Sequence, residues 1–317
     1  MRISHVIVTV AVAVALAALP SGPAVAEEES GKPAQISLRL AADPDRVLRV
    51  PAGTGQGEPW TVGDWTGGED ELWEPLGDSG KFNFKSVSNG LCSHRPVVDG
   101  GDIGAWDCAK SEGWTFVKKG DGYQIVDQRR GSCLAAASGR ATTLPCSAAG
   151  SEEDVWLPVW EHRAAEPGFP EAITLRLYVD TGQAAVVSGN STANGTQLML
   201  WQIQDMPVYQ WNPTAYQAPN GTRVWGLANV NSGLCANVAG GGAVDGTAII
   251  QWPCGGQQNA VWWFAAQGAG YQVGGLESGK CLNVAGGAIP GQPLVLYTCQ
   301  PGGAVNDVWL PVWEPND

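Results

Sequence analysis

The sequence predicts an all-β protein made of two copies of one unit, each copy itself threefold. Three observations predict this. First, Ile36-Ser37-Leu38-Arg39-Leu40 recurs as Ile173-Thr174-Leu175-Arg176-Leu177, and Asp154-Val155-Trp156-Leu157-Pro158-Val159-Trp160-Glu161 recurs unchanged from Asp307 to Glu314. One string opens each half and the other closes it. Second, an aromatic, two cysteines and a tryptophan recur inside each half at a spacing of about 40–50 residues, a period that signals stacked structural repeats. Third, 43 Gly and 21 Pro punctuate short apolar runs, and no stretch after residue 30 carries a capped apolar period of a helix.

Taken in order, the chain starts with a targeting pattern. Arg2 is followed by an apolar run from Val6 to Leu19, broken by Pro20, Ser21 and Gly22. Small residues at Ala24-Val25-Ala26 offer a cleavage point. This reads as a secretory signal peptide over residues 1–26, too short for a membrane span. The expected mature protein is therefore extracellular and starts at Glu27. No membrane insertion is expected elsewhere. The formal net charge of −13 argues against a nucleic-acid partner, which needs a basic footprint.

The expected domains are 27–162 and 173–317, joined by a short, stiff linker over 163–172 that holds Pro167, Gly168 and Pro170. Each half divides into three units, ending at Trp73, Trp114 and Trp156, then at Trp211, Trp262 and Trp309. Ten residues before the first cysteine of each pair stands an aromatic: Phe82, Tyr123, Trp225 and Tyr271. Four short strands are read per unit. In the last unit they are Gly270 to Gly274, Lys280 to Val284, Pro293 to Tyr297 and Asp307 to Val312. A single unit buries too little alone, so three share a core that the repeated Trp fills.

Export to an oxidising compartment implies that all eight cysteines pair. The repeat places both partners inside one unit: Cys92 with Cys108, Cys133 with Cys146, Cys235 with Cys254, and Cys281 with Cys299. Loops of this size stabilise by about 3 kcal/mol each. The competing reading, thiols that bind a metal, needs close Cys or His clusters, and the sequence has none. No metal or cofactor is expected.

Cys281-Leu282-Asn283-Val284-Ala285-Gly286, Val295-Leu296-Tyr297-Thr298-Cys299 and Asn306-Asp307-Val308-Trp309 resemble the motifs of ricin-B-type lectins. So do Cys235-Ala236-Asn237-Val238-Ala239-Gly240, Ile250-Gln251-Trp252-Pro253-Cys254 and Asn259-Ala260-Val261-Trp262. The resemblance covers nearly the whole mature chain and implies two tandem β-trefoils of three four-stranded units each. Two departures stand out. The family's terminal Gln-x-Trp is replaced by Glu71, Glu112, Asp154, Tyr209, Ala260 and Asp307 at the Gln position. The Asp that family sugar sites carry two residues after the first cysteine is absent from all six units.

The resemblance also implies where a sugar would sit. The family aromatic lies two residues before the second cysteine, and its Asn lies three before the terminal Trp. The last two units keep both, which gives Asn237, Trp252 and Asn259 as one candidate triad and Asn283, Tyr297 and Asn306 as the other. An aromatic meets the C–H face of a sugar, and amides bind its hydroxyls. Without the charged Asp the hydrogen bond is about half as strong, so weak single sites used in multiples are expected. Trp106 stands with His94 and Ser111, and Trp201 with Val186 and Val208. Leu144 and Gly63 replace the aromatic in the two remaining units. The first half is therefore expected to be mainly structural.

The bland readings are core packing for the terminal Trp, surface packing for Trp252 and Tyr297, and turn chemistry for the four Asn. No enzyme activity is expected. The acid runs Glu69-Asp70-Glu71 and Glu152-Glu153-Asp154 could be imagined as a glycosidase pair, but their matching positions read as solvated turns. His94 and His162 have no nucleophile motif beside them. The expected function is a secreted, non-catalytic carbohydrate-binding protein. The competing class is a secreted trefoil scaffold that binds a protein partner, with its sugar sites degenerate.

Overall fold

The computed structural model describes residues 30–315, apart from 32–33, 79, 97, 99, 112, 128 and 162–168. The signal segment with its cleavage point, Glu112, His162 and most of the expected linker lie outside the described residues. What is described is strand and turn. The helical segments among these residues are three-residue 3-10 turns. The four strands expected in the last unit are found at Gly270–Gly275, Cys281–Val284, Leu294–Tyr297 and Val308–Trp313.

The second half closes a ring of six antiparallel strands. Ile173–Leu177 pairs with Gln210–Gln217, then follow Arg223–Asn229, Val261–Gln267, Gly270–Gly275 and Val308–Trp313, which pairs back with Ile173–Leu177. Closure removes the sheet edges that would otherwise recruit other chains. Three hairpins cap one end of this ring. They are Asp180–Val187 with Leu198–Gln202, Cys235–Val238 with Ile249–Trp252, and Cys281–Val284 with Leu294–Tyr297. Single bridges tie them to one another: Gln197 to Ile250, Met199 to Pro293, and Ala248 to Val295.

The first half repeats the plan. Its ring runs through Ile36–Leu40, Trp73–Asp78, Lys81–Ser86, Thr115–Lys119, Gly122–Asp127 and Trp156–Trp160, with the Phe82–Trp114 bridge completing it. Its hairpins are Arg46–Arg49 with Thr61–Asp64, Cys92–His94 with Gly104–Trp106, and Ser132–Ala137 with Arg140–Pro145. A six-stranded barrel capped by three hairpins is a β-trefoil, and the chain forms it twice. All four disulfides join the expected partners inside one unit.

The terminal Trp of each unit is core, at 0–1% exposure. Except in the first unit, where Trp73 Nε1 has no hydrogen-bond partner, its indole also ties the barrel to a hairpin; Trp114 does so through Ser93 Oγ at 3.0 Å. Trp156, Trp211, Trp262 and Trp309 donate Nε1 to the carbonyls of Leu134, Ala185, Ala236 and Leu282, at 2.9, 3.3, 3.0 and 3.0 Å. Each acceptor sits on the first strand of its unit's hairpin. A large apolar ring thus satisfies its one donor inside the core.

The two halves are locked to each other, which the linker reading did not foresee. Trp160 ends the first half but lies in the core of the second, edge-on to Trp225 at 4.8 Å. Trp313 ends the second half but lies in the core of the first, edge-on to Phe82 at 5.1 Å. Between them Leu157, Val159, Leu310 and Val312 form a shared cluster of their own. Val159 also pairs with Val312 across the junction.

Two buried ion clusters flank this seam. Arg39 and Arg176 are both 0% exposed. Arg39 binds Glu161 at 2.7 Å, and Glu161 also accepts from Ser37 Oγ and from Tyr271 of the other half, both at 2.6 Å. Arg176 binds Glu314 at 3.0 Å, and Glu314 also accepts from Thr174 Oγ1 at 2.7 Å and from Tyr123 of the other half. Each guanidinium further donates across the seam, to the carbonyls of Ala269 and Asp121 respectively. Buried charges persist only when paired and hydrogen-bonded, and here the partners come from both halves. The two clusters differ beside the tyrosine. Lys118 donates to Glu314 at 2.8 Å, whereas the matching position opposite is Ala266. A cleft of about 830 Å³ opens there, lined by Trp65, Tyr178, Ala266 and Ala269 among others.

Replacing Trp160 with Ala is expected to destabilise the second half, and Trp313→Ala the first, by about 3–5 kcal/mol each. Denaturant unfolding, followed by hydrogen exchange in the half that receives each indole, checks this. Glu314 sets a pH dependence. Burial pushes its carboxyl up, but the nearby Arg176 and Lys118 charges and the hydrogen bonds from Lys118 and Tyr123 outweigh it and hold the pKa at about 2, below the ordinary 4.5. A folded pKa below the unfolded one stabilises fully above 4.5 and is lost as pH falls towards 2. Urea unfolding across that window is expected to show falling stability, with a shallower slope in Glu314→Gln.

Candidate functional site

The second-half hairpins present one face to the core and the other to solvent, because side chains alternate along a strand. In the middle hairpin, Val238 and Ile249 point into the core. The register pairs Asn237 with Ile250 and Cys235 with Trp252, so these four share the outer face. The last hairpin repeats this, pairing Asn283 with Val295 and Cys281 with Tyr297. Diagonal neighbours on such a face lie about 7–8 Å apart, within reach of one small ligand. The disulfide at the base of each hairpin fixes the strand that carries the aromatic.

Trp252 is 45% exposed and Tyr297 44%. Surface packing therefore does not consume either ring. The four Asn are not alike. Asn237 and Asn283 lie in strands and are nearly buried, so the turn reading fails for them. Asn259 lies in the 3-10 turn Gln258–Ala260 that precedes the terminal Trp, and Asn306 lies in the matching turn. Asn259 Nδ2 donates to Val238 O and to Asn237 Oδ1, both at 3.1 Å. Asn306 Nδ2 donates to Val284 O and to Asn283 Oδ1, both at 2.8 Å.

These bonds fix which way each amide faces. The backbone carbonyl demands a donor, so Asn259 and Asn306 turn Nδ2 inward and keep Oδ1 as an acceptor. Asn237 and Asn283 use Oδ1 on their neighbour and keep Nδ2 as a donor. Asn237 and Asn283 keep 3% and 5% exposure, which lies on the outer face of their hairpins. Each site thus offers one donor and one acceptor beside an exposed aromatic. Adjacent hydroxyls, which donate and accept, match that pair.

Sequence reasoning missed two glycines that lie against exposed tryptophans. Gly195, with φ of +80°, lies 3.9 Å from the Trp252 ring, measured from where its Cβ would stand. Gly291, with φ of +87°, would meet Trp201 at 3.1 Å. Each is a loop glycine of a different unit whose backbone conformation excludes most side chains. Trp201 is itself 42% exposed but stands with the buried Val186 and Val208, which offer no polar group. In the first half His94 stacks on Trp106 with centroids 5.3 Å apart.

The reading of the acid runs as solvated turns holds for Glu69, Glu152 and Glu153, which are exposed, and is corrected for Glu71 and Asp154, which are buried, as is Asp307. Glu71 accepts from the backbone N–H groups of Thr66, Gly67 and Gly68. Asp154 accepts from Ser147 N, Ser151 N and Gln124 Nε2 at 2.9, 2.6 and 2.8 Å. Asp307 accepts from Ala304 N and Gln272 Nε2 at 2.6 and 3.0 Å. These carboxylates organise the loop before the terminal Trp. Burial pushes the Asp154 carboxyl up, but the Ser147 and Ser151 N–H groups outweigh it and lower its pKa. A carboxylate spent on several donors has no lone pair positioned for glycoside cleavage. Among the described residues, no three His, Cys, Asp or Glu side chains gather as a metal group, and no helix is long and apolar enough to cross a membrane.

The trefoil pairing and the hairpin faces agree with what a family comparison finds. Residues 207–297 match the model of the ricin-type beta-trefoil lectin domain-like family. The match spans the middle unit of the second half and reaches Tyr297, so it contains Asn237, Trp252, Asn259 and Asn283. Similar solved structures include the designed three-fold symmetric protein ThreeFoil, 22% identical, covering 45% of this chain and 99% of that one with a TM-score of 0.41. The Rhizoctonia solani agglutinin is 17% identical over 47% of this chain and 100% of that one, with a TM-score of 0.40. The hemolytic lectin CEL-III is 16% identical over 90% of this chain and 65% of that one, with a TM-score of 0.37. No curated protein sequence matches the chain.

Asp154→Ala is expected to cost about 1–3 kcal/mol, because buried donors lose their acceptor. Urea unfolding measures it, and an effect below about 0.5 kcal/mol would show that the loop does not depend on the carboxylate.

Proposed function

We propose that the protein is exported after removal of residues 1–26 and acts as a non-catalytic carbohydrate-binding protein, with two sugar sites on the second half. The observation that carries this reading is a coincidence repeated on two hairpins. On each, an exposed aromatic shares a face with an amide pair that offers one donor and one acceptor. One site is Asn237, Trp252 and Asn259; the other is Asn283, Tyr297 and Asn306. The family match over residues 207–297 supports the same reading.

The sites are neutral, so no charge strengthens the hydrogen bonds to sugar hydroxyls. A millimolar dissociation constant corresponds to about 4 kcal/mol, which a stacked ring and two neutral hydrogen bonds reach. Two sites on one rigid half then add avidity on a repeating glycan, provided its spacing fits both. No reaction is assigned. The last acid of each run, Glu71 and Asp154, is buried and spent on its own loop, and turnover of a glycoside by the purified protein would contradict the proposal.

Glycan and polysaccharide arrays probed with the oxidised protein from Glu27 onward test this. Specific binding is expected, reduced at least tenfold by Trp252→Ala or Tyr297→Ala and abolished by the pair. Asn237→Asp is expected to tighten the first site several-fold, since Asn259 still donates to it and the sugar meets a charged acceptor. Trp fluorescence during titration reports on Trp252. A silent array from folded protein would favour the competing reading, a scaffold for a protein partner.

A further inference from the structure

The first half holds a pocket of unlike character. It has a volume of about 240 Å³ and is lined by His94, Arg95, Lys110, Asp127, Arg129 and Arg130 among others. Among the described residues, four cations and one carboxylate line it, in a chain where 31 acids outnumber 18 Lys and Arg. A local reversal of the overall charge raises the local concentration of anions.

The parts of this pocket are fixed in place. The Asp127 carboxylate holds the Arg95 guanidinium, and both side chains are largely buried. Asp127 Oδ1 also accepts from Arg129 N at 3.0 Å, which shapes the basic turn. Arg130 donates from one guanidinium nitrogen to Pro96 O at 3.0 Å, tying that turn to the neighbouring hairpin. Lys110 ends the 3-10 turn Cys108–Lys110, which Asp107 caps and the Cys92–Cys108 disulfide anchors. His94 Nδ1 is enclosed and has no hydrogen-bond partner. Burial and the nearby Arg95 lower the His94 pKa, so the ring is a neutral imidazole at pH 7.

Position adds a second argument. His94 stands two residues after the first cysteine of its unit, where Asn237 and Asn283 stand in theirs. Its neighbour Trp106 stands where Trp252 and Tyr297 do. The pocket therefore lies beside the hairpin face that carries the neutral sites of the other half, with cations brought in by Lys110 and by the turn of the next unit. It is smaller than pockets for drug-sized ligands, which begin at about 300 Å³, and suits one charged substituent with part of a ring.

We propose that this pocket binds the acidic substituent of a glycan, a sulfate ester or a uronic-acid carboxylate, with Lys110, Arg129 and Arg130 supplying the charge and His94 a neutral hydrogen-bonding edge. The glycan part rests on the carbohydrate-binding reading above. Guanidinium groups match the paired oxygens of both substituents.

The test is calorimetric titration of the processed, oxidised protein with galactose, galactose 6-sulfate, galacturonic acid and inorganic sulfate, at low and at physiological salt. Three proteins are compared: wild type, Lys110→Gln/Arg129→Gln/Arg130→Gln, and Trp252→Ala/Tyr297→Ala. At least one acidic sugar is expected to bind more tightly than galactose and than inorganic sulfate, and to weaken with salt. The basic triple variant is expected to lose at least tenfold in that affinity while its near-UV circular dichroism stays unchanged. The aromatic double variant is expected to keep it. The sulfate and carboxylate arms tell the two substituents apart. Equal binding of acidic and neutral sugars, or undiminished binding by the folded triple variant, would overturn the proposal. Inorganic sulfate binding as tightly as the sugars would overturn its glycan part. Acidic sugars bound at this pocket while neutral glycans find no site would uphold it and remove the second-half sites instead.

Discussion

Each half of this protein finishes the other's core. Trp160 leaves the first barrel to fill the second, and Trp313 makes the return crossing. The buried clusters around Arg39–Glu161 and Arg176–Glu314 then depend on the crossing being right, since each glutamate needs a tyrosine from the opposite half. A buried charge without its partners is strongly destabilising. The arrangement therefore ties the register of one half to that of the other. It also explains why the string from Asp154 to Glu161 recurs unchanged. Its first Trp serves its own unit, while its second Trp and its Glu serve the seam, and both copies face the same geometry.

That rigidity extends to the outer faces of the second-half hairpins. The two hairpins that carry Trp252 and Tyr297 are held at three points: a disulfide at the base, an indole hydrogen bond from the barrel, and bridges to neighbouring hairpins. On such a frame the amides of Asn237 and Asn259 are already oriented, so a ligand at the proposed site would cost little ordering entropy. The same frame has been worked differently in the two halves. In the second, neutral amides stand beside exposed rings. In the first, His94 and a basic turn stand beside a ring already stacked. The units are alike in backbone and unlike in surface chemistry, as expected where the fold is fixed by core residues and function by what the loops and outer faces carry.

The buried acids show how a departure from a family pattern can be read. At the position where relatives place Gln, this chain has Glu71, Asp154 and Asp307 in three units. Each accepts several backbone N–H groups of its loop, so a carboxylate organises the turn. In the last two of these a glutamine, Gln124 or Gln272, donates to the acid from the neighbouring barrel strand. Sequence position alone suggests solvated turns. Burial corrects this, because an acid surrounded by donors can be enclosed without losing its charge.

Much of the fold is legible in the sequence because its cause is periodic. Repeated Trp, cysteine and strand patterns set the units, the within-unit disulfides and the strands to within a residue or two. The two site triads are legible as residue types at matching positions, but their chemistry is not. That Asn237 gives its nitrogen and Asn259 its oxygen follows from the carbonyl of Val238, and a carbonyl's direction exists only in the folded chain. The glycines beside Trp252 and Trp201, the basic pocket and the exchanged Trp side chains likewise join residues distant in sequence. Local alternation and repeat length fix which residues a unit buries. Only three-dimensional packing decides which buried residue belongs to whose core, because that depends on distances between segments that the order of residues does not encode.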